Sequence, residues 1–200
     1  MNGQTLQPLD AIKPAQAAND PARAEYEAGK KALAAGNYGE AAVSLHNALV
    51  SFQEKNDRPG IANASNQLGL LCLAKKDYAT ATGHFETALG ICEELGDQAS
   101  VAAIRRSLVE SLSGEQFFSQ AVEHCLDLLD LYAANNDPQN SVMVLEMLAG
   151  VYIASGETDK AADTLRTAAS IHRNYRHQSI ADDFLRRADA LEQGGQGRQD

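Results

Sequence analysis

The sequence has no apolar run longer than a few residues, only three cysteines, and no lysine or arginine from Ser107 to Asp159. A membrane-crossing helix needs about 20 consecutive apolar residues, so none is expected. The stretch from Met1 to Asp20 also lacks a basic start followed by an apolar segment, which argues against a secretory leader and makes the cytoplasm the expected compartment. Cys72, Cys92 and Cys125 are odd in number and show neither CxxC nor Cys/His ligand spacing. They fall inside apolar helical patterns and are expected to be reduced core residues. The stretch without cations carries nine acidic residues, Glu110, Glu115, Glu123, Asp127, Asp130, Asp137, Glu146, Glu157 and Asp159, in a chain of net charge −10. Lys and Arg supply most non-specific affinity for nucleic acid, so this charge pattern argues against that class of partner. Also missing are a GxSxG turn, a phosphate-cradling glycine loop and a Cys/His pair in a catalytic setting. The expectation is therefore a chain that is not an enzyme and that carries no cofactor and no metal. His84 and His124 share one position of successive repeats, but equivalent atoms of stacked helix pairs are separated by about 10 Å, too far to share an ion. His46, His172 and His177 show no ligand spacing.

What is present is a period of 40. Ala41, Ala81, Ala121 and Ala161 mark it, with Tyr38, Tyr78, Phe118 and Thr158 three positions upstream of each. Asp57, Asp97 and Asp137 repeat at the same spacing. Self-similarity at such a period indicates stacked supersecondary units. Each aspartate follows a residue tolerant of left-handed backbone (Asn56, Gly96, Asn136), so one helix can end and the next be capped within two residues. Asp20-Pro21 and Asp137-Pro138 place proline in a first turn, where its missing N–H costs nothing.

A second break divides each repeat, at Gly36-Asn37, Lys76-Asp77, Gly114-Glu115 and Gly156-Glu157. Between breaks the apolar residues follow helical spacing, as in Ala64, Leu68, Leu71 and Cys72, then Ala81, Phe85, Ala88 and Leu89. Helices are expected at about 21–35, 38–55, 59–75, 78–95, 98–113, 116–135, 138–155, 158–173 and 177–193. The fold class is all-α. Residues 1–19 have the composition of a disordered lead-in, 20–193 are expected to form one repeat domain, and the Gly-rich 194–200 are expected to be a disordered tail. The repeats run about 21–56, 57–96, 97–136 and 137–176, with a cap at 177–193 whose apolar side (Ile180, Phe184, Leu185, Ala188, Leu191) covers the array.

These residues resemble the tetratricopeptide repeat (TPR), with its W-x2-L-G-x2-Y, A-x3-F and final Ala. The second repeat matches best, with Leu68-Gly69, Tyr78, Ala81, Phe85 and Ala88; the first keeps Gly29, Tyr38, Ala41, Leu45 and Ala48. The third has Val109 in place of glycine and Leu128 in place of the last alanine; the fourth has Leu148-Ala149, Tyr152, Ala161, Leu165 and Ala168. No repeat has the tryptophan. A period of 40, where roughly 34 is usual, resembles the long-helix subclass of kinesin light chains, spindle-orientation adaptors and bacterial peptide-sensing regulators. The resemblance implies a right-handed superhelical solenoid of four TPR-like helical hairpins plus a C-terminal capping helix.

It also implies a concave groove lined by the first helix of each pair. That register selects Arg23, Tyr26, Lys30 and Leu33, then Asn63, Asn66, Leu70 and Leu73, then Arg106, Glu110 and Ser113, and finally Met143, Glu146, Gly150 and Ile153. The expected role is a protein-interaction scaffold or adaptor that binds a partner peptide or helix, with no nucleic acid or membrane as partner. Some TPR domains clamp a chaperone's C-terminal carboxylate with lysine, asparagine and arginine; Tyr26, Lys30 and Ala103 stand at three clamp positions here, which argues against that ligand. The alternative is a self-assembling module in which acidic repeats three and four meet the arginines of the cap (Arg173, Arg176, Arg186, Arg187) of another copy. The expected state is a monomer or a weak homo-oligomer.

Overall fold

Helix ends in this chain are set locally, by one residue that turns left-handed and one that caps. The computed structural model describes residues 20–196; the lead-in expected at 1–19 and residues 197–200 lie outside it. Among the described residues there are nine helices and no strand: α1 (Pro21–Ala34), α2 (Tyr38–Glu54), α3 (Arg58–Ala74), α4 (Tyr78–Glu94), α5 (Gln98–Gly114), α6 (Phe118–Ala134), α7 (Pro138–Ser155), α8 (Thr158–Asn174) and α9 (Gln178–Gln196). The sequence-based spans agree within two residues, except that α9 continues through Gly194 and Gly195 to Gln196.

The starts follow capping chemistry. Asp20 Oδ1 accepts from the Ala22 N–H at 3.0 Å, Asp57 from Gly60 at 3.1 Å, Asp97 from Ser100 at 3.2 Å and Asp137 from Asn140 at 3.0 Å. Each bond satisfies one donor that the first turn leaves unpaired, and is worth about 1 kcal/mol. The stops are equally regular. Gly36, Asn56, Lys76, Gly96, Gln116, Asn136, Gly156 and Arg176 all have φ between 51° and 83° and fall at every twentieth position. After seven of these reversals the next residue donates its N–H back to a carbonyl five residues upstream, as in Asp57 to Phe52 at 2.9 Å, Asp77 to Cys72 at 2.9 Å and Glu157 to Tyr152 at 2.8 Å. This is the Schellman closure, which satisfies the orphan carbonyls of a helix end.

One break differs from expectation. Gly114 remains helical, and Gln116 makes the left-handed turn at φ 65°. Gly114 is small for a packing reason: a Cβ there would lie 2.6 Å from the Tyr78 ring.

The chain divides into two compact units, the first ending at Gly114 and the second beginning at Glu115. In the first, α1 to α5 pack in sequence order, and the first helices of successive pairs also touch, α1 with α3 and α3 with α5. Its core joins Tyr26, Leu45, Phe52, Leu68 and Leu71 to fully buried alanines such as Ala41 and Ala48. In the second, α7 packs on α6 and α8, and α8 on α9; the core there is built from Leu145, Leu165 and Phe184 with Ala162, Ala181 and Ala188. Small residues let the helices approach: at Gly69 a Cβ would stand 2.5 Å from the Phe85 ring, and at Gly29 2.6 Å from Leu45. Cys92 and Cys125 are buried and Cys72 is half-buried, so two of the three sit in the core as expected. Burial pushes the Cys92 thiol up to about 11 and the Cys125 thiol up to about 12.

Two outcomes follow from this packing. Gly69→Ala forces its methyl into the buried Phe85 ring and destabilises by about 1–3 kcal/mol. Gly90→Ala, on an exposed helix surface with nothing within 4 Å, stabilises by about 0.5–1 kcal/mol. Urea denaturation of the two variants must give opposite signs. Thiol titration of the native chain with a disulfide reagent at about pH 8 should give one fast equivalent, Cys72, with Cys92 and Cys125 reacting only on unfolding; three equal rates would refute the placement.

Candidate functional site: the face of α1, α3 and α5

In the first unit the residues selected by the groove register come from three helices that touch one another. Asn63, Asn66, Leu70 and Leu73 are all half-buried along α3. Spacings of three and four put such residues on one helix face. Neither asparagine side chain has a hydrogen-bond partner among the described residues. A half-buried primary amide offers two donors and one acceptor oxygen, which suits a peptide backbone. Leu33 of α1 is half-buried and packs against the core cluster beneath, so it contributes only part of its surface.

The cations of α1 sit in loose local pairs: Arg23 with Asp20 at 3.8 Å and Lys30 with Glu27 at 3.7 Å. Contacts this long hold weakly and can be exchanged for an incoming carboxylate. From α5, Arg106 and Ser113 are half-buried and Glu110 is exposed. Neighbouring Arg105 is held by Glu93 at 2.9 Å.

Tyr26 does not join this surface. It is 7% exposed and packs edge-on against Phe52 at 6.4 Å, with the Lys30 ammonium 5.0 Å above its ring. Residue 26 belongs to the groove register along α1, but an aromatic ring large enough to reach α2 is drawn into the core. Tyr26 therefore supports Lys30 from below.

In the second unit the same register falls on α7, where Met143 is half-buried and Gly150 and Ile153 are exposed. Glu146 is engaged within the chain: it accepts from Arg187 at 2.8 Å, and that guanidinium lies 5.1 Å over the Phe184 ring. Arg186 pairs with Asp183 at 2.9 Å. Two of the cap arginines considered for self-assembly are thus occupied by intramolecular partners.

The histidines behave less uniformly than the sequence implies. Burial lowers the pKa of His84. His172 and His177, which show no ligand spacing along the chain, are brought side by side by the turn at Arg176, with their Nδ1 atoms 3.4 Å apart. Spacing rules assume a continuous helix or strand, and a left-handed reversal between the two residues defeats them. No group of three or more His, Cys, Asp or Glu residues that could hold a metal occurs among the described residues, and none of their helices is long and apolar enough to cross a membrane.

Comparison with known proteins agrees with this architecture. No family model matches the chain. Tetratricopeptide repeat protein 29 of Homo sapiens and of Macaca fascicularis is 25% identical over 131 residues, which is 66% of this chain and 28% of those proteins. This chain thus spans about a quarter of the length of the curated relatives it matches. Among solved structures, a point-substituted form of the nearly identical TPR-like repeats of a kinesin light chain-like protein from Podosopora anserina superposes with a TM-score of 0.73 at 17% identity, over 90% of this chain and 91% of that one. The apo form of RapI superposes with a TM-score of 0.71 at 16% identity, over 86% of this chain and 64% of that one. A protein-interaction role is typical of this fold. Nine helices among the described residues, joined by left-handed reversals at every twentieth position, the TPR pattern of small and aromatic residues and these structural likenesses identify the chain, by fold, as a TPR-like helical-repeat protein.

Proposed function

We infer that the chain is a non-catalytic scaffold that binds an extended or helical segment of a partner protein across α1, α3 and α5. The observation that carries this reading is the pair Asn63 and Asn66. Asparagine is an indifferent helix former in a helix interior, and burying half of an amide without a partner carries a desolvation cost. Both costs are offset when a peptide backbone takes up the donors and acceptors. Leu70 and Leu73 give the segment an apolar seat on the same helix. Arg23 and Lys30 at one side and Arg106 at the other favour carboxylates flanking an apolar centre. The α7 surface, with Met143 and Ile153 beside the ion-paired Glu146, is a second and more apolar place for contact.

The triple variant Asn63→Ala, Asn66→Ala, Arg106→Glu tests the reading, provided circular dichroism shows it folded. Affinity capture from native lysate, followed by mass spectrometry, should yield a protein with wild type that is lost with the variant. A lost hydrogen bond to a buried backbone group is worth about 1–3 kcal/mol, so affinity for the captured partner should fall by about tenfold or more. Identical partners captured by both proteins would exclude this face.

A further inference from the structure

The joint between α8 and α9 departs from the other joints between repeats at both ends of one contact. In three joints the residue closing a repeat and the residue five positions on are Phe52 and Asp57, Cys92 and Asp97, and Tyr132 and Asp137. In each the aspartate caps the following helix. At the last joint both positions change together, to His172 and His177. The capping carboxylate is given up, and two imidazoles take its place.

The backbone turns these rings toward each other. Arg176 is left-handed at φ 60°, and the His177 N–H donates to the His172 carbonyl at 2.9 Å. The ring centroids are 5.6 Å apart with planes inclined at 45°, and the Nδ1 atoms face each other at 3.4 Å. His172 is also stacked on Phe184 of α9, at 5.4 Å and 20°, which limits its rotation. Zinc bonds to imidazole nitrogen are about 2.0–2.1 Å, so two donors on a tetrahedral ion stand about 3.3–3.4 Å apart. The pair already holds that separation.

We propose that His172 and His177 form a binding site for a transition-metal dication of the zinc type, each donating through Nδ1. When the ion binds, a ring that carries its proton on Nδ1 gives that proton to water and takes one from water at Nε2, a change of tautomer with no net proton released, so both ligands are neutral imidazoles. Two coordination positions remain for water. The pair offers nitrogen donors and no oxygen, which disfavours calcium and magnesium, both held by oxygen ligands. Imidazole-preferring zinc, nickel and copper remain. Asp182 of α9 accepts from Gln178 at 2.8 Å. Because His172 closes α8 and His177 precedes α9, a bound ion would pin the last joint of the array.

The test is calorimetric titration of the untagged full chain with zinc alone, repeated with calcium. Wild type should bind one zinc and no calcium. His177→Gln and His172→Tyr, the latter restoring the type of residue at Tyr132, should each weaken zinc by at least about tenfold, since even the outer partners of metal ligands contribute that much. His46→Gln should leave zinc binding unchanged. Zinc should also raise the melting temperature of wild type and not that of the two variants, each first shown folded by circular dichroism. Zinc affinity equal in wild type and both variants, or no binding by wild type, would overturn the site.

Discussion

The left-handed residue that ends each of the first eight helices is the constraint on which the rest of this structure depends. It recurs at every twentieth position from Gly36 to Arg176, and five of its eight occurrences are not glycine. A non-glycine residue in this conformation carries roughly 1–2 kcal/mol of local strain. Asn56 and Asn136 relieve part of that through a side chain suited to the region, whereas Lys76, Gln116 and Arg176 have no such help. At Lys76 and Arg176 the conformation persists because the following N–H closes on a carbonyl five residues back and the next helix starts at once. Helix length, and with it the register of every small residue that meets a large one, follows from where these turns fall.

Packing within each unit then depends on that register. Gly69 lies under Phe85, Gly29 under Leu45, and Ala149 and Leu165 are both buried at the equivalent positions of the fourth repeat. Shifting a turn by one residue would rotate each helix by about 100° and place side chains where the backbones now approach. On α3 the surface carries Asn63 and Asn66 ahead of Leu70 and Leu73, and at the last joint it carries two histidines where the other joints have an apolar residue and an aspartate.

Much of this was legible in the sequence because the signals are local and repeated. Asn or Gly followed by Asp marks a helix end and a helix start in two adjacent letters, and the joints at 57, 97 and 137 fall where that pattern puts them. The third internal break was harder: Gly114 looks like a turn residue, yet it stays helical under Tyr78 while Gln116, with no turn signature, reverses the chain. Site residues were legible only as register. Position along α1 does not reveal that Tyr26 reaches Phe52 and is buried, nor position along α7 that Glu146 is taken by Arg187. The His172 and His177 pair was invisible because it exists only across a reversal.

The most direct test of the central claim is the stability of two substitutions at Lys76, measured by urea denaturation. If the left-handed turn at φ 59° is a fixed strain, Lys76→Gly relieves it and stabilises the chain by about 0.5–1 kcal/mol after the added freedom of the unfolded glycine is subtracted. Lys76→Val, a β-branched residue that resists this conformation, destabilises it by about 1 kcal/mol or more. Glycine less stable than lysine, or valine as stable as lysine, would contradict the account.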